Sequence, residues 1–231
     1  MADSTLAVVG AGPGLAMGVA RAFGRRGFRV GLVARNEHRL KERVAELAGA
    51  GVEAAAFPAD VRDPAALTGA LDALAERLGP VDVLEYGPDP GAAGITGAAA
   101  STAESATAQF ELVVRGALVA AQHVLPGMLE RGDGALLLTT GASSVVPMPM
   151  LGNVGIAMAG LRNWAHAAAV ELRPRGVYVG TVTVATAVSA DNPVGSPDAI
   201  GDLYHDMYVR RDRVEEVVGD LEAIRAMVAA L

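Results

Sequence analysis

Short, almost continuously apolar runs alternate along the chain with longer stretches in which apolar residues return every three or four positions. The runs are Thr5–Val9, Phe28–Ala34, Val52–Phe57, Val81–Tyr86, Ala135–Thr140 and Val177–Val184, and each predicts a buried strand. Between them the helical period predicts helices over about Leu15–Arg26, Glu37–Ala48, Asp63–Leu78, Ala103–Glu130 and Asn153–Leu172. Asp63-Pro64 is a helix start and Gly79-Pro80 a stop, whereas Pro126 is expected to disturb the fourth helix from inside. Gly87–Gly97, dense in Gly and Pro, predicts a loop, and Ala185–Leu231 a loop followed by helices. Strands that are apolar throughout belong to a parallel sheet with both faces covered. The expected architecture is α/β: one doubly wound parallel sheet with helices on both faces, forming a single domain over residues 1–231.

The first strand runs into Gly10-Ala11-Gly12-Pro13-Gly14, and a helix of small residues leaves at Leu15. Such a junction offers backbone N–H groups and the positive end of a helix to a phosphate. Gly10 permits the tight turn, Gly14 the approach of a pyrophosphate, and Ala16 or Gly18 close packing of helix on strand. Dinucleotide binding at the carboxyl ends of the strands is the expectation.

Composition narrows the choice. A chain of 231 residues that is 52% hydrophobic can bury one substantial core. Its net charge of −7 argues against a nucleic-acid partner, because an acidic surface repels phosphate backbones. With no cysteine there is no disulfide, zinc–thiolate site or thiol nucleophile, and His and carboxylate residues nowhere show metal-ligand spacing. Neither a signal peptide nor an uninterrupted apolar run of about 20 residues is visible, so a cytoplasmic protein without membrane association is expected. Of the 19 basic residues only Lys41 is a lysine, which matters for the chemistry.

Several segments together resemble the short-chain dehydrogenase/reductase family over nearly the whole chain. They are Gly10-x-x-x-Gly14-x-Ala16, Ala34-Arg35-Asn36, Ala59-Asp60-Val61, Val81-Asp82-Val83-Leu84, Leu125-Pro126-Gly127-Met128 and Arg175-Gly176-Val177. The resemblance implies a Rossmann-like sheet with a nicotinamide cofactor lying across it. It places Gly10, Gly12, Gly14 and Leu15 at the cofactor's phosphates, Arg35 and Asn36 at its ribose, and Asp60 and Val61 at its adenine. An acidic residue would select NAD(H) after the second strand; Arg35 stands there instead and suits the 2′-phosphate of NADP(H).

In the same resemblance a Ser-Tyr-Lys set with a supporting Asn carries the hydride chemistry. Aligned with that set, this chain has Gly141 near the Ser, Val154 at the Tyr, Met158 at the Lys and Val113 at the Asn. No Tyr-x-x-x-Lys occurs anywhere in the sequence, since residue 37, four before Lys41, is Glu37. The remaining candidates for catalysis are Tyr86, Ser143, Ser144 and Asn153. Tyr86 is the best-placed phenol and either donates a proton or packs against cofactor and loop. Ser143 and Ser144 either replace the family's serine or satisfy a turn. Asn153 either caps its helix or touches a ligand. Arg162 either reaches a substrate or faces a partner helix; His123 and His166 read as core or interface residues. The segment 185–231 is expected to act as a lid, with Tyr204, His205 and Tyr208 closing over the pocket.

Three functions are open. One is an NADP(H)-dependent oxidoreductase acting on an apolar carbonyl, enone or imine compound with a non-standard proton donor. The second is a non-redox isomerase, cyclase, lyase or ligand-binding protein on the same fold. The third is a non-catalytic partner subunit. A homodimer or homotetramer through the helices Ala103–Glu130 and Asn153–Leu172 is expected, because both carry more apolar surface than one sheet face needs.

Overall fold

A computed structural model describes residues 4–231 and shows one sheet of seven parallel strands in the order β3-β2-β1-β4-β5-β6-β7. In chain order these are β1 (Thr5–Val9), β2 (Arg29–Ala34), β3 (Ala54–Pro58), β4 (Val81–Tyr86), β5 (Gly134–Gly141), β6 (Val177–Ala185) and β7 (Glu215–Gly219). Successive side chains point to opposite faces, so each apolar strand feeds two cores. On one face Leu6, Val8, Val83 and Leu137 meet α1 (Leu15–Gly24), α2 (Glu37–Gly49) and α7 (Pro197–Arg210). On the other, Ala7, Val9, Leu84 and Leu138 meet α3 (Pro64–Leu78), α5 (Gly116–Arg131) and α6 (Gly152–Leu172). Each fully buried Leu, Val or Phe in these layers contributes roughly 2 kcal/mol.

The strand order reverses direction between β1 and β4, and Val9 lies opposite both Val33 and Tyr86 at the carboxyl edge. The chains therefore diverge there and leave a crevice. Local signals hold the helices as expected: Asn36 Oδ1 accepts from Arg39 N at 3.0 Å, and Asp63 Oδ1 accepts from the amides of Ala65 and Ala66.

Three expectations are corrected. The segment after residue 185 is not only loop and helices, because Glu215–Gly219 adds β7 to the sheet. Its signal was masked by Glu215 and Glu216, which suit an edge strand and are neutralised by Arg162 and Arg213. The long helix over 103–131 is interrupted near Val113 rather than at Pro126. There α4 (Ala103–Phe110) passes into α5 through a wide π-helical turn, Glu111–Arg115, while Pro126 sits inside α5. By length and composition this helix could cross a membrane, but half of its apolar window is buried and it packs on β4 and β5. Finally, Gly18 serves a helix pair, not a strand: a Cβ there would lie 1.8 Å from Pro197 O, and one on Gly201 2.2 Å from Gly18 O. These two glycines let α1 and α7 touch backbone to backbone.

Candidate active site

The crevice opens at Gly10, whose φ of +92° turns β1 sharply; a Cβ there would strike Pro88 at 2.5 Å. Both Gly10 N and Ala11 N donate to Val33 O, which pins the turn to β2. Beyond it, a Cβ on Gly12 or Gly14 would meet nothing nearer than 3.6 Å, so the cradle in front of α1 is open.

Two cavities share this loop. The smaller, about 330 Å³, is bordered by Arg35, Asn36, Asp60 and Val61, and also by Arg39, Arg43 and Arg62. Arg43 Nη1 donates to Ala11 O at 2.6 Å and so ties α2 to the glycine loop. Burial, and next the neighbouring Arg39, hold the Arg43 guanidinium below its ordinary value. Four cations converge on this end, and an anion among them would relieve their repulsion. The sequence signal for the extra three was Arg39 and Arg43, one turn apart on α2, with Arg62 just after Asp60-Val61.

The larger cavity, about 570 Å³, runs from Gly12, Gly14 and Leu15 over the carboxyl ends of β4, β5 and β6. Its far wall is Ile95, Met148, Leu151, Val154 and Met158, and residues of the C-terminal segment, Val188 and Ile224, border it. Val154 and Met158 stand one helical turn apart on α6, the spacing a proton-transferring pair would need, and neither holds a transferable proton. The polar groups on the wall are Thr139, Thr140, Ser143, Thr186 and Asp89.

The structure sorts the four catalytic candidates. Ser143 lines the cavity, with Oγ 4.0 Å from where a Cβ of Gly141 would stand. Ser144 faces a neighbouring cavity of about 530 Å³ and donates to Thr140 Oγ1 at 3.4 Å. Tyr86 does not reach either space. It is wholly buried, and its hydroxyl donates to Leu112 O in the π-helical turn. Burial, then the Asp60 charge, push its phenol far up. Asn153 is also wholly buried. Its Oδ1 accepts from Thr96 N and Val154 N, and its Nδ2 donates to Gly94 O and Ser105 O, so it fastens the 94–105 loop to α6. Val113 is core. Tyr204 and Tyr208 do not close over the cavity. Tyr204 is fully buried under β5, and Tyr208 packs on Phe23 and Phe28 with Arg211 over its ring.

Two carboxyl groups, one fully and one partly buried, were not foreseen. Glu85 interrupts the apolar run of β4, which was its signal; its exposure is 0%. Thr139 Oγ1 donates to its Oε1 at 2.8 Å and lies 2.6 Å from Tyr204 Oη, while Oε2 has no partner. Burial pushes this carboxyl up to about 8 despite the Thr139 hydrogen bond. Glu215, on the other face, accepts from Arg162 at both oxygens, with Nε to Oε1 at 2.7 Å, and from Thr183 Oγ1 at 2.7 Å. Burial opposes its ionisation, but Arg162, Thr183 and the His166 charge outweigh burial and hold it below the ordinary carboxylate value.

A doubly wound sheet with a glycine cradle and an anion-attracting crevice at its switch point defines a dinucleotide-binding α/β protein. The sequence pattern of the short chain dehydrogenase family matches residues 4–192, and the chain belongs to that family of oxidoreductases. A Streptomyces coelicolor protein named "Putative ketoacyl reductase" is 34% identical over 78% of this chain and 69% of its own length. Among solved structures, L-sorbose reductase from Gluconobacter frateurii, complexed with NADPH and L-sorbose, superposes with a TM-score of 0.84. It covers 96% of this chain and 98% of the reductase at 19% identity. A short chain oxidoreductase of Pseudomonas aeruginosa PAO1, described as NADPH-bound and containing an atypical catalytic center, gives 0.82, with 94% and 96% covered at 19% identity. At such identities the two structures show likeness of fold alone.

Proposed function

We propose that this chain is an NADP(H)-dependent oxidoreductase acting on an apolar carbonyl, enone or imine compound without a phenol–lysine pair. The observation that carries the reading is one crevice with two unlike ends: four arginines at one and an apolar wall ending on Val154 and Met158 at the other. The open cradle at Gly12 and Gly14 fits a pyrophosphate, and Arg35 with its neighbours fits a 2′-phosphate. When bound, the nicotinamide supplies or accepts a hydride. Ser143 and Thr140 are the hydroxyls on the wall beside α6 that can hold a substrate oxygen. The apolar lining strands the polar groups of a sugar without partners and favours a hydrophobic or polycyclic compound. The 185–231 segment takes part as a border through Val188 and Ile224, within a single domain.

A second reading, a non-redox protein on this fold, is favoured by one observation: both proton-transfer positions on α6 are apolar. Calorimetric titration with NADPH and NADH, then a panel of ketones, enones and imines, separates the two. NADPH should bind at least tenfold tighter than NADH, and Arg35→Glu should abolish the preference. Equal affinities reject the 2′-phosphate assignment, and bound NADPH without turnover of any compound favours the non-redox reading. Simple ketones should turn over poorly unless Val154→Tyr and Met158→Lys are combined.

The proposal extends to assembly as a homodimer or homotetramer through the helices 103–131 and 152–172. Phe110, Ile156 and Val170 are 47%, 59% and 77% exposed there, a costly arrangement for a lone chain. Light scattering at micromolar concentration should give at least twice the monomer mass.

A further inference from the structure

A polar file begins on the cavity wall and ends at the surface of α6. Thr140 Oγ1 lies 2.7 Å from Thr183 Oγ1, and Thr183 Oγ1 donates to Glu215 Oε1 at 2.7 Å. Thr140 is 1% exposed and Thr183 0%, so both hydroxyls are shielded from bulk water. Arg162 grips both Glu215 oxygens, and His166 Nε2 lies 3.5 Å from Oε2. The side chains of Arg162 and His166 are 31% and 37% exposed, so the far end touches solvent. The links from Thr140 through Thr183 and Glu215 to Arg162 are hydrogen bonds, and His166 stands beside Glu215 without one.

Donor counting gives the file a direction. Glu215, paired with Arg162, can only accept. Thr183 owns one hydrogen and gives it to Glu215, so toward Thr140 it accepts. Thr140 therefore spends its hydrogen on Thr183 and presents lone pairs to the cavity, where Ser144 also points its hydroxyl at Thr140. Each bond polarises the next, with the anion at the far end. The file lies on the α6 face, where Met158 leaves no proton carrier one turn, about 6 Å, before Arg162.

We infer that Thr140, Thr183 and Glu215 form the proton conduit of this site, an inference that rests on the oxidoreductase reading. In the oxidative direction the C–H bond of a substrate alcohol breaks, its hydrogen and electron pair leaving to the oxidised nicotinamide dinucleotide. The O–H bond breaks too, its electron pair completing the C=O bond. Its proton passes to Thr140, Thr140 gives its own proton to Thr183, and Thr183 gives its own to Glu215, which releases one to solvent beside His166. Reduction runs the same hops backward from a Glu215 protonated by solvent. Thr140 touches the substrate; Thr183 and Glu215 are positioning residues that act through it.

Thr183→Val cuts the file at a residue that borders neither the cavity nor solvent. With an NADPH-binding wild type active on the panel, T183V should lower kcat about a hundredfold. The affinity for NADPH and KM for the substrate should stay within twofold. T183S, which keeps the hydroxyl, should recover most of the loss. Without substrate or cofactor, proton NMR should show slowly exchanging hydroxyl resonances for Thr140 and Thr183, and T183V should remove both. Should T183V fail to fold, Glu215→Gln makes the cut at the outer end and should lower kcat equally. Wild-type kcat in the variant that folds, or freely exchanging hydroxyls in the wild type, overturns the conduit alone. A wild type that binds NADPH and turns over nothing overturns the oxidoreductase reading and the conduit with it.

Discussion

Glu85 and Glu215 stand in one sheet and each accepts a hydrogen bond from a threonine, yet their surroundings push them in opposite directions: Glu85 is fully buried, whereas Glu215 is part-buried, its side chain 16% exposed. Glu85 faces α1 and α7 and, among the described residues, bonds to Thr139, with the Tyr204 hydroxyl beyond it, and has an oxygen with no partner. Without a cation, burial wins and the carboxyl is neutral below about 8. Glu215 faces α6, where Arg162 repays the cost of burying its charge, and it is ionised. Neighbours and depth together decide which carboxyl is pushed up and which is held down, and such environments push two acids of one fold apart.

The largest way to break this comparison is Glu85→Gln, which keeps the bond to Thr139 and cannot ionise. A folded value raised from 4.5 to about 8 means that wild-type stability falls as pH rises between those values. The wild type should lose on the order of 4 kcal/mol from this group by pH 9. Urea unfolding should therefore show the variant more stable than wild type at pH 9 and nearly equal at pH 5. Equal curves at both pH values would mean that Glu85 is solvated or paired.

Next in size is Arg162→Met, which leaves the part-buried Glu215 without its cation. A loss of about 2 kcal/mol is expected at pH 7, shrinking toward pH 4 as Glu215 takes up a proton. The wild type behaves in the opposite sense to Glu85: stability from Glu215 is present above 4.5 and lost as pH falls through its lowered folded value. A variant as stable as wild type at pH 7 would reduce the pair to surface decoration. The smallest effect belongs to Tyr204→Phe, which removes the hydroxyl on Thr139 for about 1 kcal/mol. Thermal unfolding should register a drop of a few degrees, independent of pH between 5 and 7.

Much of the fold was legible because it rests on local patterns. Six strands follow from continuous apolar runs, and the phosphate cradle follows from Gly10, Gly12 and Gly14 at a strand–helix junction. The absence of Tyr-x-x-x-Lys required no structure at all. β7 was hidden because Glu215 and Glu216 look like solvent residues until Arg162 and Arg213 are placed beside them. Tyr86 was misread for a related reason: the end of β4 was located well, but strand alternation does not tell that its hydroxyl reaches the Leu112 carbonyl across the core. Asn153, chosen for its position ahead of a helix, spends all its hydrogen bonds on the 94–105 loop.

The amino-acid sequence by itself determined the α/β class, the glycine junction after the first strand and the absence of Tyr-x-x-x-Lys, since each depends on residue type and short spacing. Only the tertiary structure decided which hydroxyl and carboxylate groups stand together beside the crevice. Thr140, Thr183 and Glu215 come from β5, β6 and β7, 43 and 32 residues apart in sequence. Their link exists because parallel strands lie side by side in register, a long-range juxtaposition that no local pattern encodes.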